Sequence, residues 1–281
     1  MRDPKDWDGT EQAVSRARGG RFRDELPGLL ATARRVDGDR GEAWVAASAA
    51  VEILQWQDAF TEAADLAETL IRSDGPLGGE LCDHGQTLVN ALLHAEWRTG
   101  VPAQPRLAAL ADRVPEGRVL RRRIDDAVRR LETTPAAEDQ NFWFNWGRDP
   151  QSPDGVIGSW VLEEDYASLP RDRKFTYWRV LHDISDFDRA ERIRQETGEL
   201  PDDFSVCLWL AGCHGLRGDL ATGEELLLAA HARWWPFDTA SALPTEPVAN
   251  VHLRPLVTDR VREYYLTTPI GPEAKDRTQQ S

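Results

Sequence analysis

Residues 202–234 read DDFSVCLWLAGCHGLRGDLATGEELLLAAHARW, and this stretch decides the fold class. It predicts a helix over Asp202–Arg217, a turn at Gly218 and Asp219, and a second helix that ends at Trp234. The second helix is rich in small residues. A helix, a Gly-Asp turn and a returning helix make a helical hairpin, the unit of helical repeat proteins.

The same alternation of helix and turn recurs through most of the chain. Trp44, Ala47, Val51 and Leu54 recur at helical spacing, and a helix from Phe60 follows a tight reversal. Further helices are predicted over residues 24–35, 81–97, 106–113, 119–131, 174–184, 188–197 and 256–265. The sequence therefore predicts an all-α protein of stacked helical hairpins, an irregular α-solenoid or bundle.

The hairpin at 202–234 resembles a tetratricopeptide repeat. It has residues at the positions of that family's Leu-Gly pair, inter-helix turn, small residue of the second helix and later Ala. Those residues are, in order, Leu210-Ala211, Gly218-Asp219, Gly223 and Ala230. A weaker match surrounds residues 43–67, where Ala47 and Ala59 keep a separation of twelve residues between small contact positions. The chain lacks a regular period of about 34 residues, so the resemblance implies an irregular, tetratricopeptide-like stack.

Composition and the positions of Gly and Pro residues divide the chain into successive segments. Residues 1–20 are polar and expected to be loosely ordered, and the Pro-rich stretch 236–255 is expected to cross the helical body as a strap. The predicted segments are an N-terminal polar segment (1–20), an N-terminal helical half (21–132), an aromatic irregular insert (133–170), a C-terminal helical half (171–235), the strap with a last helix (236–270) and a flexible tail (271–281).

The insert contains the densest aromatic cluster of the chain. Residues 141–155 read NFWFNWGRDPQSPDG, and residues 156–162 can pair with 141–146 as a short β-hairpin across Asp154-Gly155. Tryptophan is common both in cores and at binding hot spots. Three interpretations stay open: a structural plug, which is favoured, a protein-docking surface and a small-molecule stacking site. The residues predicted to bind a partner are Phe142, Trp143, Phe144, Trp146 and Trp160.

Charge and composition restrict the partners. The chain has 281 residues and a formal net charge of −14, which disfavours nucleic acid and anionic membranes and attracts basic proteins. The N-terminus lacks the apolar region of a signal peptide, and no apolar run reaches the ~20 residues needed to span a bilayer. Three cysteines without metal-ligand spacing suit a reducing cytoplasm. The excess of Arg over Lys is typical of a GC-rich bacterial genome.

Motifs for catalysis and cofactor binding are absent. The sequence contains no nucleophile elbow, phosphate-binding loop or dinucleotide fingerprint. Cys82-Asp-His84 and Cys213-His214 are more economically explained as buried residues than as halves of a zinc site. We therefore predict no metal and no cofactor.

The densest acidic cluster near a histidine is the alternative catalytic site. His182, Asp183 and Asp186 lie close in sequence, and the two carboxylates, three residues apart, are expected to share a helix face. Helix capping by Asp186 is the simpler explanation. An enzyme with a site dispersed around these residues remains the second hypothesis, and a regulator that senses a small ligand is the third.

The helix predicted over 119–131 is rich in arginine. Its arginines point around most of the circumference, with Asp125, Asp126 and Glu132 between them. The pattern favours a solvated, salt-bridged face over a nucleic-acid-binding stripe. The sequence as a whole predicts a non-catalytic, cytoplasmic protein-binding scaffold whose acidic surface captures a basic partner. Bacterial immunity proteins that neutralise toxins have this general character, although no motif supports that comparison.

Overall fold

The computed structural model describes residues 8–35, 39–74, 82–133 and 150–271 of the chain. All regular structure in these ranges is helical, without a strand, so the all-α prediction is confirmed. The described residues form two compact units. One contains residues up to 133 with 235–251 and 262–271, and the other contains 150–234 and 252–261. No helix in the described ranges is long and apolar enough to cross a membrane.

The first unit is built around one helix that is buried on all sides. Its helices are α1 (Asp8–Arg16), α2 (Phe22–Ala33), α3 (Arg40–Trp56), α4 (Phe60–Asp74), α5 (Cys82–Thr99), α6 (Gln104–Ala111) and α7 (Val119–Thr133). Every side chain of α3 from Ala43 to Trp56 is buried, as expected of a helix enclosed by α1, α2, α4 and α5. Asp39 caps α3 by accepting hydrogen bonds from the amides of Gly41 and Glu42 at 2.9 and 3.2 Å.

The sequence predicts loose order for residues 1–20, and this prediction is wrong for residues 8–20. Helix α1 covers Asp8–Arg16, and the chain then kinks at Gly20 (φ +90°) before α2 begins. Val14 and Ala17 are fully buried. They are three residues apart in sequence, so they lie on the same side of this segment. Two small apolar positions among polar neighbours are too few to produce a clear amphipathic pattern in the sequence.

Residues 235–251 contain most of the predicted strap, and the name is used for these residues from here on. They are anchored to α3 in the first unit. The buried Glu52 carboxylate accepts hydrogen bonds from the amides of Ala242 and Leu243 at 2.5 and 3.0 Å. One turn further along α3, the Trp56 indole donates to the carbonyl of Pro244 at 2.7 Å. Three buried hydrogen bonds therefore hold the centre of the strap, which includes the short helix α12 (Glu246–Ala249).

The C-terminal residues of the first unit also pack on Trp56. Tyr265, in the helix Asp259–Thr267, stacks on the Trp56 ring with centroids 4.1 Å apart. The amide of Ile270 donates to the Arg18 carbonyl at 2.9 Å. Residues close to the two ends of the described chain are thus joined within one unit.

The second unit contains packed helix pairs. Its helices are α8 (Arg171–Asp183), α9 (Phe187–Thr197), α10 (Phe204–Leu216) and α11 (Leu220–His231). Helices α10 and α11 form the hairpin predicted from residues 202–234, with Gly218 in the left-handed conformation at the turn (φ +82°). A Cβ atom on Gly223 would lie 3.1 Å from the Ala211 carbonyl oxygen and 2.7 Å from Leu256 Cδ2, so the helices approach closely because this position has no side chain.

The sequence predicts a strand over residues 156–162, and the structure corrects this. These residues form turns followed by a 3₁₀ helix, Ser159–Glu163. Gly158 adopts the left-handed conformation (φ +85°), and its carbonyl accepts a hydrogen bond from the Val161 amide at 3.0 Å. Local i to i+3 bonding replaces pairing with another strand. The predicted partner strand, 141–146, lies outside the described residues.

Candidate functional site

Trp160 is the sequence-predicted partner-binding residue that the structure describes. It lies on the 3₁₀ helix Ser159–Glu163 with 54% of its surface exposed, and Ile157, in the preceding turn, is 96% exposed. The Arg173 guanidinium lies over the Trp160 ring, 5.3 Å from its centroid. Ile157, Trp160 and Arg173 are called the Trp160 surface below. Phe142, Trp143, Phe144 and Trp146 lie outside the described residues.

The Trp160 surface is held by contacts with α8. A Cβ on Gly158 would lie 2.9 Å from Thr176 Cγ2, so the turn packs directly on that helix. Arg173 donates to both carboxylate oxygens of Glu164 at 3.0 Å, and these hydrogen bonds orient the guanidinium over the indole ring of Trp160. Apolar groups that are exposed but fixed in place bind a partner at little cost in conformational entropy.

Several carboxylates that lack an ion-pair partner are close in sequence to Ile157, Trp160 and Arg173. Asp154, Glu163 and Asp172 are exposed and form no salt bridge with another described residue. The nearby cations are already paired, as Arg173 with Glu164, Arg171 with Asp202 and Lys174 with Glu199. The charge that is left without an ion-pair partner in this stretch of sequence is therefore negative.

The alternative catalytic residues His182 and Asp183 form a hydrogen-bonded pair. His182 Nδ1 lies 2.9 Å from Asp183 Oδ1, and this hydrogen bond lowers the pKa of Asp183. The imidazole is 8% exposed and meets the Trp209 ring edge to face. Its Nε2 atom has no hydrogen-bond partner among the described residues. The His182 side chain is thus enclosed by the core of the second unit, whereas the Asp183 carboxylate is exposed to solvent.

Asp186 does not join this pair. Helix α8 ends at Asp183, and Ser185 has a positive φ of 58° before α9 begins. The Asp186 carboxylate caps α9 by accepting from the Arg189 amide at 3.1 Å. The predicted shared helix face of Asp183 and Asp186 is therefore wrong, because the chain turns between them.

A second buried histidine connects three helices of this unit. His214 Nδ1 lies 3.1 Å from Asp219 Oδ2, and its Nε2 lies 3.1 Å from Glu191 Oε2. Burial opposes ionisation of Glu191, but hydrogen bonds from Arg194, Gln195 and His214 hold its pKa at about 2. Since all these groups are mutually satisfied, the cluster joins α9, α10 and the start of α11 and leaves no reactive atom.

A shallow cleft of about 400 Å³ lies beside this cluster. Its lining residues are Arg194, Ala221, Thr222, Glu224, Glu225 and Arg260. Arg260 donates to Glu224 and Glu225 at 3.0 and 2.7 Å, so the charges of the cleft neutralise one another. The lining offers a small ligand few polar groups that are not already bonded.

The first unit carries exposed aromatic residues that the sequence reasoning did not select. Phe237 is 83% exposed and Trp235 56% exposed at the start of the strap. The signal was the sequence Trp235-Pro236-Phe237, in which large apolar residues occur without helical or strand periodicity. Such residues do not belong to the buried face of a helix or strand, so they can be exposed to solvent.

The described residues contain no group of three or more His, Cys, Asp or Glu side chains that could hold a metal ion. Among the residues of the sequence-predicted pairs, Cys213 is buried, and burial raises the pKa of its thiol to about 12. Comparison with known proteins found no matching family model, no similar curated protein and no similar solved structure.

Proposed function

We propose that this chain is a non-catalytic helical scaffold that captures a basic protein partner through the Trp160 surface. The observation that carries the proposal is the exposure of Ile157 and Trp160 around a turn that packs on α8, in a stretch of sequence whose carboxylates Asp154, Glu163 and Asp172 lack ion-pair partners. Burying an apolar side chain of this size contributes about 1.5–3 kcal/mol. That free energy is available to a partner that covers both residues.

Tryptophan and arginine are the residue types most enriched at binding hot spots, and this surface contains one of each in contact. The unpaired carboxylates and the net charge of −14 favour a partner with Arg or Lys around an apolar centre. Long-range attraction would speed the encounter, and burial of Trp160 would slow dissociation.

We further propose that the helix pairs are degenerate tetratricopeptide-like hairpins. The left-handed Gly218 at the turn and the close approach at Gly223 support this. A bacterial, cytoplasmic adaptor or a toxin-neutralising immunity-type protein fits the proposal, since both classes act by binding and need no catalytic group.

The test is calorimetry with the protein that the immobilised chain captures from an extract of its source cells. Trp160→Ala should weaken binding by about 2 kcal/mol, close to 30-fold. Ile157→Ser is paired with Val101→Ser, because Val101 is an equally β-branched residue in the connection between α5 and α6 of the other unit and is 53% exposed. Ile157→Ser should weaken binding, whereas Val101→Ser should leave it within twofold. Equal effects of the two serine variants would refute the assignment to the Trp160 surface.

The dispersed-site enzyme is the second candidate, supported by the unsatisfied Nε2 of His182. His182→Ala separates the two functions, because it removes the buried imidazole without altering any residue of the Trp160 surface. Unchanged partner affinity is expected for the scaffold. An activity found in the unaltered chain and abolished in a folded His182→Ala variant would favour the enzyme.

A further inference from the structure

Most arginine side chains in the described ranges donate to a carboxylate or a carbonyl, but those at one end of the α6–α7 pair do not. Arg113, Arg118, Arg122 and Arg123 are all exposed, and their guanidinium groups form no hydrogen bond or salt bridge with another described residue. These residues are called the Arg113–Arg123 cluster. Arg121, next to them, differs because it pairs with Asp125 at 2.8 Å.

The backbone brings the cluster together. Arg121 Nη1 donates to the carbonyls of Ala111 and Val114 at 2.6 and 3.3 Å, so the start of α7 lies against the turn that contains Arg113. Leu120 and Ile124 are buried on the inner face of α7. Arg118 immediately precedes α7, and its carbonyl accepts a hydrogen bond from the Arg122 amide at 3.1 Å, so the two residues lie one helical turn apart.

The arrangement does not serve the stability of the helix. Like charges at i and i+4 repel each other, and the first turn of α7 contains no acidic residue, although cations are disfavoured at the N-terminal end of a helix dipole. The chain has 48 acidic residues from which partners could be drawn. The sequence expectation of a salt-bridged face therefore fits Arg121 and Arg129, which pair with Asp125 and Asp126, but not this cluster.

We propose that the Arg113–Arg123 cluster docks a short acidic segment of a protein, rich in Asp and Glu. The guanidinium group binds carboxylates with two parallel hydrogen bonds. Arg118 and Arg122 are separated by about 6 Å along the helix axis, at a rise of about 1.5 Å per residue, close to the spacing of about 6.6 Å between alternate residues of an extended peptide. The surface is distinct from the Trp160 surface and does not rest on its function.

An acidic peptide fits better than nucleic acid. The cluster is compact, and a long polyphosphate leaving it would meet a chain whose net charge is −14. A short acidic segment stays within about 10 Å of the cluster, the range over which charges act at moderate salt.

The test uses the full chain and fluorescence anisotropy with a labelled five-residue peptide, Glu-Ser-Glu-Ser-Glu, which is short enough to stay within about 10 Å of the cluster. The triple variant Arg118→Gln, Arg122→Gln, Arg123→Gln should weaken binding at least tenfold. The control triple variant Arg21→Gln, Arg23→Gln, Arg34→Gln removes the same charge from exposed arginines that are paired with acids. It should weaken binding less than threefold.

The cluster variant should also melt at a higher temperature than the unaltered chain, because repulsion between its arginines is relieved. Equal loss of peptide binding in the two triple variants would overturn the proposal, since net charge alone would then explain it. Absence of peptide binding by the unaltered chain would also overturn it. Tighter binding of a four-nucleotide oligothymidylate, which has three phosphates, than of the peptide with its three glutamates would assign the cluster to nucleic acid instead.

Discussion

The anchoring of the strap by Glu52 predicts a stability that depends on both the hydrogen bonds and the charge of one side chain. Glu52→Ala removes the acceptor of the Ala242 and Leu243 amides. Each buried amide left without an acceptor costs about 1–3 kcal/mol. Glu52→Gln keeps an acceptor oxygen, so the alanine variant should be about 2–6 kcal/mol less stable than the glutamine variant.

The charge of Glu52 adds a pH dependence. Burial raises the pKa of Glu52 well above its ordinary value, against the hydrogen bonds from Leu243 and Ala242, which lower it. Above the unfolded pKa of about 4.3 the folded state binds a proton that the unfolded state has released. The stability from this group is therefore complete below that pH and is lost as pH rises to the folded pKa, by up to about 1.4 kcal/mol per pH unit.

Urea unfolding of the unaltered chain and both variants from pH 4 to pH 8 measures these effects. The stability of Glu52→Gln relative to the unaltered chain should increase with pH, because glutamine does not titrate. In Glu52→Ala, the amides of Ala242 and Leu243 should exchange hydrogen faster. A stability difference between the glutamine variant and the unaltered chain that is constant with pH, or alanine and glutamine variants of equal stability, would refute the reasoning.

Further predictions concern the second unit, with one control position in the first unit. Gly223→Ala should lower the free energy of unfolding by about 1–3 kcal/mol through overpacking against α10 and Leu256. Gly28→Ala, where a Cβ meets nothing within 4 Å, should raise the free energy of unfolding by about 0.5–1 kcal/mol. Thermal melts of both variants test this, and a stabilising Gly223→Ala would contradict the close approach of the helices. Glu191→Gln should destabilise the chain at pH 7 and have a smaller effect near pH 3. The reason is that stability from a carboxylate with a lowered pKa is lost as pH falls toward that pKa, which is about 2 for Glu191. A destabilisation that does not change with pH would contradict the buried ionic cluster. His182→Ala should lower the melting temperature through a cavity beside Trp209, and an unchanged melting temperature would show that the ring is not packed as described.

The helices could be predicted from the sequence because their apolar residues recur at helical spacing. Trp44, Val51 and Leu54 repeat along α3, and Gly218 marks the turn of the α10–α11 hairpin. The role of Glu52 could not be predicted, since its partners Ala242 and Leu243 are 190 and 191 residues away. Its burial depends on contacts that no local pattern contains.

The candidate site was predicted only in part. Trp160 could be named because tryptophan in an irregular segment is a common binding residue, but its exposure and its contact with Arg173 depend on how the turn packs on α8. Ile157 gave no signal beyond its position in a turn. The hypothesis for Asp183 and Asp186 failed because Ser185 interrupts the helix between them.

Affinity capture on the immobilised chain, at low and at high salt, tests the central claim most directly. The unaltered chain should retain one basic protein in stoichiometric amount at low salt and less of it at high salt. The double variant Ile157→Ser, Trp160→Ala should retain much less at either salt, since the apolar centre of the Trp160 surface is removed. No stoichiometric partner at any salt, or equal retention by the variant, would contradict the account.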